Sequence, residues 1–423
     1  MNVGDQVLSR RSIEALRAGV PNRDAVRHLG CSQPQIEQKF RNILAELPRG
    51  LEANEQVPGL LLTGDFGSGK SHLLQYLEHL ALRESFVVSK IVISKETSLA
   101  NPGHVYRAAI EEARVEDRIG PALEVVSRLL RQRFNQPPYA EFYQWAVAAD
   151  SRLSPHFPAS LYVFERGGDE AVSHQMIRFW SGDPLRNTEL RNVLKQMGAG
   201  SMYALQRLPK ERELALQRFR FATRMMAAAG YKGWILLIDE TELVRYYSYK
   251  TRARAYAELA RWLGGLSDAE DGVYPGLAVV ATIINTFDEQ QLNGNDDINY
   301  IPNKLRSTGR EDDALLATQA ERGMRLIRDR REPLSRLDRD QVERTFREVR
   351  RLYSTAFAWP APDIDIGYTG LASEVMRRLV RPWITEWDLL RLYPESKPEL
   401  ERTPLPPITF GADDPDIQAS ADQ

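Results

Sequence analysis

A single cysteine, Cys31, stands among 423 residues. No intrachain disulfide can form, and a chain this poor in thiols fits a reducing compartment. Long apolar runs are missing as well, since none reaches the ~20 residues that cross a bilayer. The start, Met1-Asn2-Val3-Gly4-Asp5, lacks a signal-peptide pattern, so the expected location is the cytoplasm. There is no excess of positive charge, with 56 basic against 58 acidic side chains and a net charge of −2. A global electrostatic footprint for nucleic acid is thereby excluded, and only a local patch is left open. The six histidines are scattered, without H-E-x-x-H or C-x-x-C spacing, which argues against a zinc site. No internal repeat is found. What is present is ordinary for a soluble globular protein: 43% hydrophobic and 27% charged residues, in a chain long enough for two or three domains.

Four apolar runs have the length and bounds of buried parallel strands: residues 59–63, 86–94, Trp234–Asp239 and 277–284. Helical patterns separate them, predicting a three-layer α/β domain. About 140 residues lie between the second and third runs, where a simple crossover needs about a dozen. Residues 95–233 therefore read as a helical insertion. Residues 1–50 read as a charged helical flank punctuated by Gly19, Pro21 and Gly30. After the last strand, residues 288–310 are polar and Asn-rich and read as a mobile loop. Segments 315–331, 338–356 and 371–379 read as helices of a C-terminal lid over 291–400. The Pro- and acid-rich tail, 401–423, reads as disordered.

Residues 64–71 run Gly-Asp-Phe-Gly-Ser-Gly-Lys-Ser and match G-x-x-x-x-G-K-[ST] at every fixed position. An apolar strand pattern precedes them and a helical one follows, the context a phosphate-binding loop requires. Gly64, Gly67 and Gly69 let the backbone wrap closely around an anion. Amides of the loop, including those of Asp65, Phe66 and Ser68, together with the first helical turn, would point at a β-phosphate. Lys70 would bridge the β- and γ-phosphates, and Ser71 would offer a hydroxyl to Mg²⁺. The expected cofactors are ATP and Mg²⁺, and the ion arrives with the nucleotide.

The third run ends Asp239-Glu240. An acid at the end of a buried strand stands at the carboxyl edge of the sheet, where open α/β sheets bind ligands. Asp239 would organise Mg²⁺, largely through its waters. Glu240 would align and deprotonate the attacking water. Small-molecule kinases need no such glutamate, so the pair favours hydrolysis, although acids here also suit the cap of a helix. The fourth run ends near Thr282 and Asn285. Either could sense the γ-phosphate, depending on strand register, and Asn285 is carried forward as the catalytic candidate. For the arginine that such hydrolysis usually needs, Arg306, Arg377, Arg378 and Arg381 are candidates. Residues 321–351 hold 11 Arg against 7 acids, 11 − 7 = +4, but the acids interleave as on a salt-bridged, solvated helix.

Beyond these motifs, the chain resembles the ATP-binding proteins of BREX-type bacterial anti-phage defence islands, the BrxC/BrxD-like P-loop ATPases, which are distant relatives of AAA+ and origin-recognition-type ATPases. The loop block Gly64-Asp-Phe-Gly-Ser-Gly-Lys-Ser-His-Leu-Leu carries most of the likeness, with Leu237-Ile-Asp-Glu-Thr-Glu-Leu the other specific motif. Further likeness lies in the segment beginning Ile13-Glu-Ala-Leu-Arg-Ala-Gly, in Phe86-Val-Val, Ser94-Lys-Glu-Thr, His104-Val-Tyr-Arg-Ala and Arg351-Leu-Tyr-Ser-Thr-Ala-Phe-Ala-Trp. It spans most of residues 10–395. The resemblance implies an ATPase domain with a long helical insertion and a helical or winged-helix end. It also implies work beside DNA-modification or helicase components in restricting phage.

The expectation is an α/β P-loop NTPase of AAA+/ASCE type, with core 51–290, insertion at about 95–233 and lid 291–400. It would bind and hydrolyse ATP, switch conformation, and act with DNA and partner proteins. By analogy with such ATPases it would also self-associate, completing the site with a neighbour's arginine. The alternative is a regulator or scaffold that binds ATP and recruits an effector without essential turnover.

Overall fold

The computed structural model describes residues 3–18, 26, 29–116, 121–167, 169–266, 273–336, 338–370 and 376–395. The tail expected at 401–423 lies outside them, as does the start of the helix expected over 371–379. The chain packs into two units. One comprises residues 1–37, 63–77 and 333–423, the other 38–62 and 78–332.

In the larger unit, the four apolar runs form strands where expected: β1 (Leu60–Thr63), β2 (Val87–Val92), β4 (Trp234–Asp239) and β5 (Leu277–Ile283). Two shorter ones join them, β3 (Ala113–Arg114) and β6 (Arg331–Pro333), in the order β3-β2-β4-β5-β1-β6. β4 lies parallel to β2, with Val92 opposite Asp239, and parallel to β5, with Ile238 opposite Ala281. β3 is antiparallel to β2, so the sheet is mixed rather than all-parallel. Every residue of β4 and β5 is buried, as continuous apolar runs require when helices cover both faces.

Apart from the short β3, the described residues between 95 and 233 are largely helical, and the last of these helices, Glu211–Ala228, places Phe219 at a hub of aromatic rings. Its ring lies 4.9 Å from Tyr106, 5.4 Å from Trp234 and 4.7 Å from Trp262. Insertion and sheet therefore share one continuous apolar core. The expected mobile loop at 288–310 is instead ordered: a π-helical turn, Asp288–Asn293, leads into the helix Asp297–Arg306. The reason is a buried carboxylate. Asp297 accepts two hydrogen bonds from Arg252 at 2.9 and 2.8 Å, one from Tyr256 at 2.7 Å and one from Gln291 at 2.9 Å. A buried charge this fully paired pins the segment, and its polar composition conceals that.

Helix Glu311–Asp329 passes very close to helix Tyr249–Trp262. A Cβ on Gly323 would fall 1.9 Å from the Tyr256 carbonyl oxygen, so only glycine permits this approach.

In the smaller unit, helices Val3–Ala18, Arg339–Phe357 and Met376–Leu392 bury Ile13, Phe346, Tyr353, Trp383 and Trp387 together. The long helix starts with a capping box at Asp338 and Gln341, which satisfies two of its free donors. Arginines of 321–351 pair with neighbouring acids, as Arg339 does with Glu343 and Arg351 with Glu348, the salt-laced pattern expected. No helix among the described residues is long and apolar enough to cross a membrane.

Candidate functional site

The loop after β1 belongs to the smaller unit. Gly67 and Gly69 take φ of 81° and 98°, left-handed values that favour glycine. The turn closes through Ser68 N–H to the Asp65 carbonyl at 3.1 Å, and Leu73 N–H to the Gly69 carbonyl, 2.8 Å, opens the helix Lys70–Arg83. Gly64 is needed for a different reason. A Cβ there would lie 2.4 Å from the Ser68 hydroxyl oxygen.

Lys70 is 8% exposed and folds over the loop. Its ammonium donates to the carbonyls of Gly64 at 2.8 Å and Asp65 at 3.2 Å. A lysine holds three N–H donors, so two loop carbonyls do not exhaust it. Asp65 and Phe66 are exposed, whereas Ser68 Oγ is buried with no hydrogen-bond partner among the described residues. An orphaned buried hydroxyl of this kind calls for a group that the protein itself does not supply. The donors present, a buried ammonium, an unmet hydroxyl and glycine-opened backbone, suit an anion. Two contacts hold the helix start: His72 Nε2 to the Gly30 carbonyl at 3.1 Å, and Tyr76 O–H to Glu37 at 3.0 Å.

The strand ends lie in the larger unit. Asp239 closes β4 and is 4% exposed. Its Oδ1 accepts from the Thr282 hydroxyl at 2.6 Å and from the Glu240 amide at 3.1 Å. The other carboxylate oxygen meets no donor among the described residues, and an oxygen of this kind suits Mg²⁺. Glu240 is exposed at φ 58°, ψ 37°, a left-handed geometry uncommon for a side chain of this size. Such strain costs about 1–3 kcal/mol and clusters at functional sites. A short 3₁₀ turn, Thr241–Tyr246, follows it. Thr241 is buried, and its hydroxyl also lacks a partner among the described residues.

Register places Thr282 inward, opposite Asp239, while Asn285 falls two residues past the end of β5 and is exposed. Among the arginines, Arg306 is held by Glu321 through two bonds of 2.7 Å. Arg381 donates to the carbonyls of Arg17 and Ala18. Arg377 and Arg378 are exposed on the helix Met376–Leu392. Arg331, which sequence reasoning missed, lies by Asn285: its guanidinium is 3.4 Å from that residue's carbonyl and 3.7 Å from the Asp288 carboxylate. One arginine among eleven carries no distinguishing signal in the sequence.

No curated protein and no solved structure matches the chain. Over residues 6–132, a stretch that holds the whole loop at 64–71, the chain matches the family model described as BREX system ATP-binding protein BrxC/D.

Proposed function

We propose that the chain is a Mg²⁺-dependent ATPase with an AAA+/ASCE-type P-loop core and a helical lid, switching conformation within a multi-component, DNA-directed phage-defence system of the cytoplasm. The observation that carries this reading is the loop at 64–71, with its left-handed glycines, its buried Lys70 and the orphaned Ser68 hydroxyl. Lys70 exchanges loop carbonyls for oxygens of the β- and γ-phosphates, while loop amides and the helix N-terminus hold the rest of the charge. Ser71 would offer its hydroxyl and Asp239 its carboxylate to Mg²⁺, which would supply positive charge against that of the phosphates.

Thr282 fixes the Asp239 carboxylate in one orientation. Glu240 takes the proton from the attacking water as that water's oxygen bonds to the γ-phosphorus. The bond to the bridging oxygen breaks, leaving ADP and phosphate. Asn285 senses the γ-phosphate from beyond β5. Other components of the system, a helicase or a modification enzyme, read the switch, and copies of the chain associate.

The test is phosphate release by the purified chain, with and without duplex or single-stranded DNA, beside Lys70→Ala and Glu240→Gln. Both variants are expected to lose turnover, Glu240→Gln while still binding ATP, and DNA is expected to raise the wild-type rate. Binding that requires Lys70 but never leads to turnover would overturn this reading and leave the regulator or scaffold.

A further inference from the structure

We propose that Arg331 is the arginine that steadies the transferring phosphoryl group, and that it acts from within the same chain. The inference rests on the ATPase reading above. Arg331 opens β6, so its backbone is held in the sheet rather than on a surface helix. Its side chain is half-buried, whereas Arg325, Arg328 and Arg330 just before it are exposed. The Asn285 carbonyl at 3.4 Å and the Asp288 carboxylate at 3.7 Å hold the guanidinium just past the carboxyl end of β5. That is the end at which Thr282 grips Asp239. Thr282 and Asn285 are three residues apart, so the chain between them spans at most about 10 Å.

A guanidinium carries five N–H donors. The one long hydrogen bond and the loose ion pair leave most of them uncommitted among the described residues. The other candidates do not match this. Arg306 is closed off by its two bonds to Glu321, and Arg381 by two main-chain carbonyls. Arg331 thus presents a fixed, half-open cationic fork at the strand ends that carry Asp239 and Glu240. A planar fork of donors matches phosphoryl oxygens in a way a lysine does not. Charge there acts on the oxygens of the departing phosphoryl group and moves no proton.

Steady-state ATP turnover and equilibrium nucleotide binding are measured for wild type, Arg331→Ala, Arg331→Lys and, as a control, Arg330→Ala. Each variant is then mixed with Lys70→Ala. Arg331→Ala is expected to lose about 100-fold or more in kcat, given the 10³–10⁵ that such arginines supply elsewhere. Its nucleotide affinity should change by only a few-fold. Arg331→Lys should recover little of the rate, and Arg330→Ala should turn over like wild type. Mixing Arg331→Ala with Lys70→Ala should restore nothing, since neither chain then holds both groups. Turnover regained on mixing would assign the arginine to a neighbouring copy and overturn the proposal, as would an Arg331→Ala protein that hydrolyses ATP like an active wild type. A wild type that binds ATP without turnover would overturn the ATPase reading and this proposal together.

Discussion

The Thr282 hydroxyl donates a 2.6 Å hydrogen bond to Oδ1 of Asp239 across two parallel strands, and both side chains are buried. The bond sets which carboxylate oxygen is spent on the protein and which stays available. Thr282→Val keeps the shape and removes the donor. Leaving a buried carboxylate oxygen short of a charge-assisted bond costs about 1.5–3 kcal/mol. The expected outcome is that loss in urea unfolding, together with a higher Mg²⁺ concentration for half-maximal turnover. Thr282→Ser should restore both. If Thr282→Val matches wild type in Mg²⁺ requirement, Asp239 is not oriented by this bond.

Gly64 tests the loop itself. A Cβ at this position meets the Ser68 hydroxyl oxygen at 2.4 Å and its Cβ at 3.3 Å. Overpacking of this size costs about 1–3 kcal/mol, or roughly 5- to 150-fold in affinity if the loop carries the strain. Gly64→Ala should weaken ATP binding within that range, and adding Ser68→Ala, which removes the clashing atom, should recover part of it. Additive losses in the double variant would show that the two positions do not share this contact.

His156 predicts a pH dependence. Asn187 donates through Nδ2 to the Gln206 carbonyl at 2.7 Å, so its Oδ1 must accept from His156 Nε2, 2.6 Å away. Nδ1 is then the acceptor for the Ser154 hydroxyl at 2.8 Å. The ring is buried and neutral, and burial lowers its pKa below the ordinary 6.5, outweighing the Asn187 bond that raises it. Between the lowered value and 6.5 the unfolded chain binds more protons than the folded one, so stability rises with pH there. The contribution is complete above about pH 6.5 and is lost as pH falls through the folded pKa. Replacing the ring by His156→Gln should flatten this part of the stability profile in urea titrations below pH 6.5. Parallel profiles for wild type and variant would rule out His156 as its source.

Much of the fold was legible because the physics involved is local. The run Trp234-Ile-Leu-Leu-Ile-Asp is buried on both faces and so is apolar throughout, and its end in Asp239 was readable without the fold. β3 and β6 were not, since two or three residues hold no periodicity. The helix Asp297–Arg306 was missed for another reason. Its order comes from Arg252 and Tyr256, more than 40 positions away, gathered on one carboxylate.

The amino-acid sequence by itself determined the glycine-rich loop at 64–71 and the acid pair after β4, because glycine conformation, a fixed Lys and a strand end are set within a few neighbours. Only the tertiary structure decided that Thr282 grips Asp239 while Asn285 stands beyond the strand, that Gly323 lets two helices touch, and that Arg331 keeps its donors while Arg306 spends them on Glu321. Those facts depend on strand register and on partners distant in the chain, which pattern and spacing do not encode.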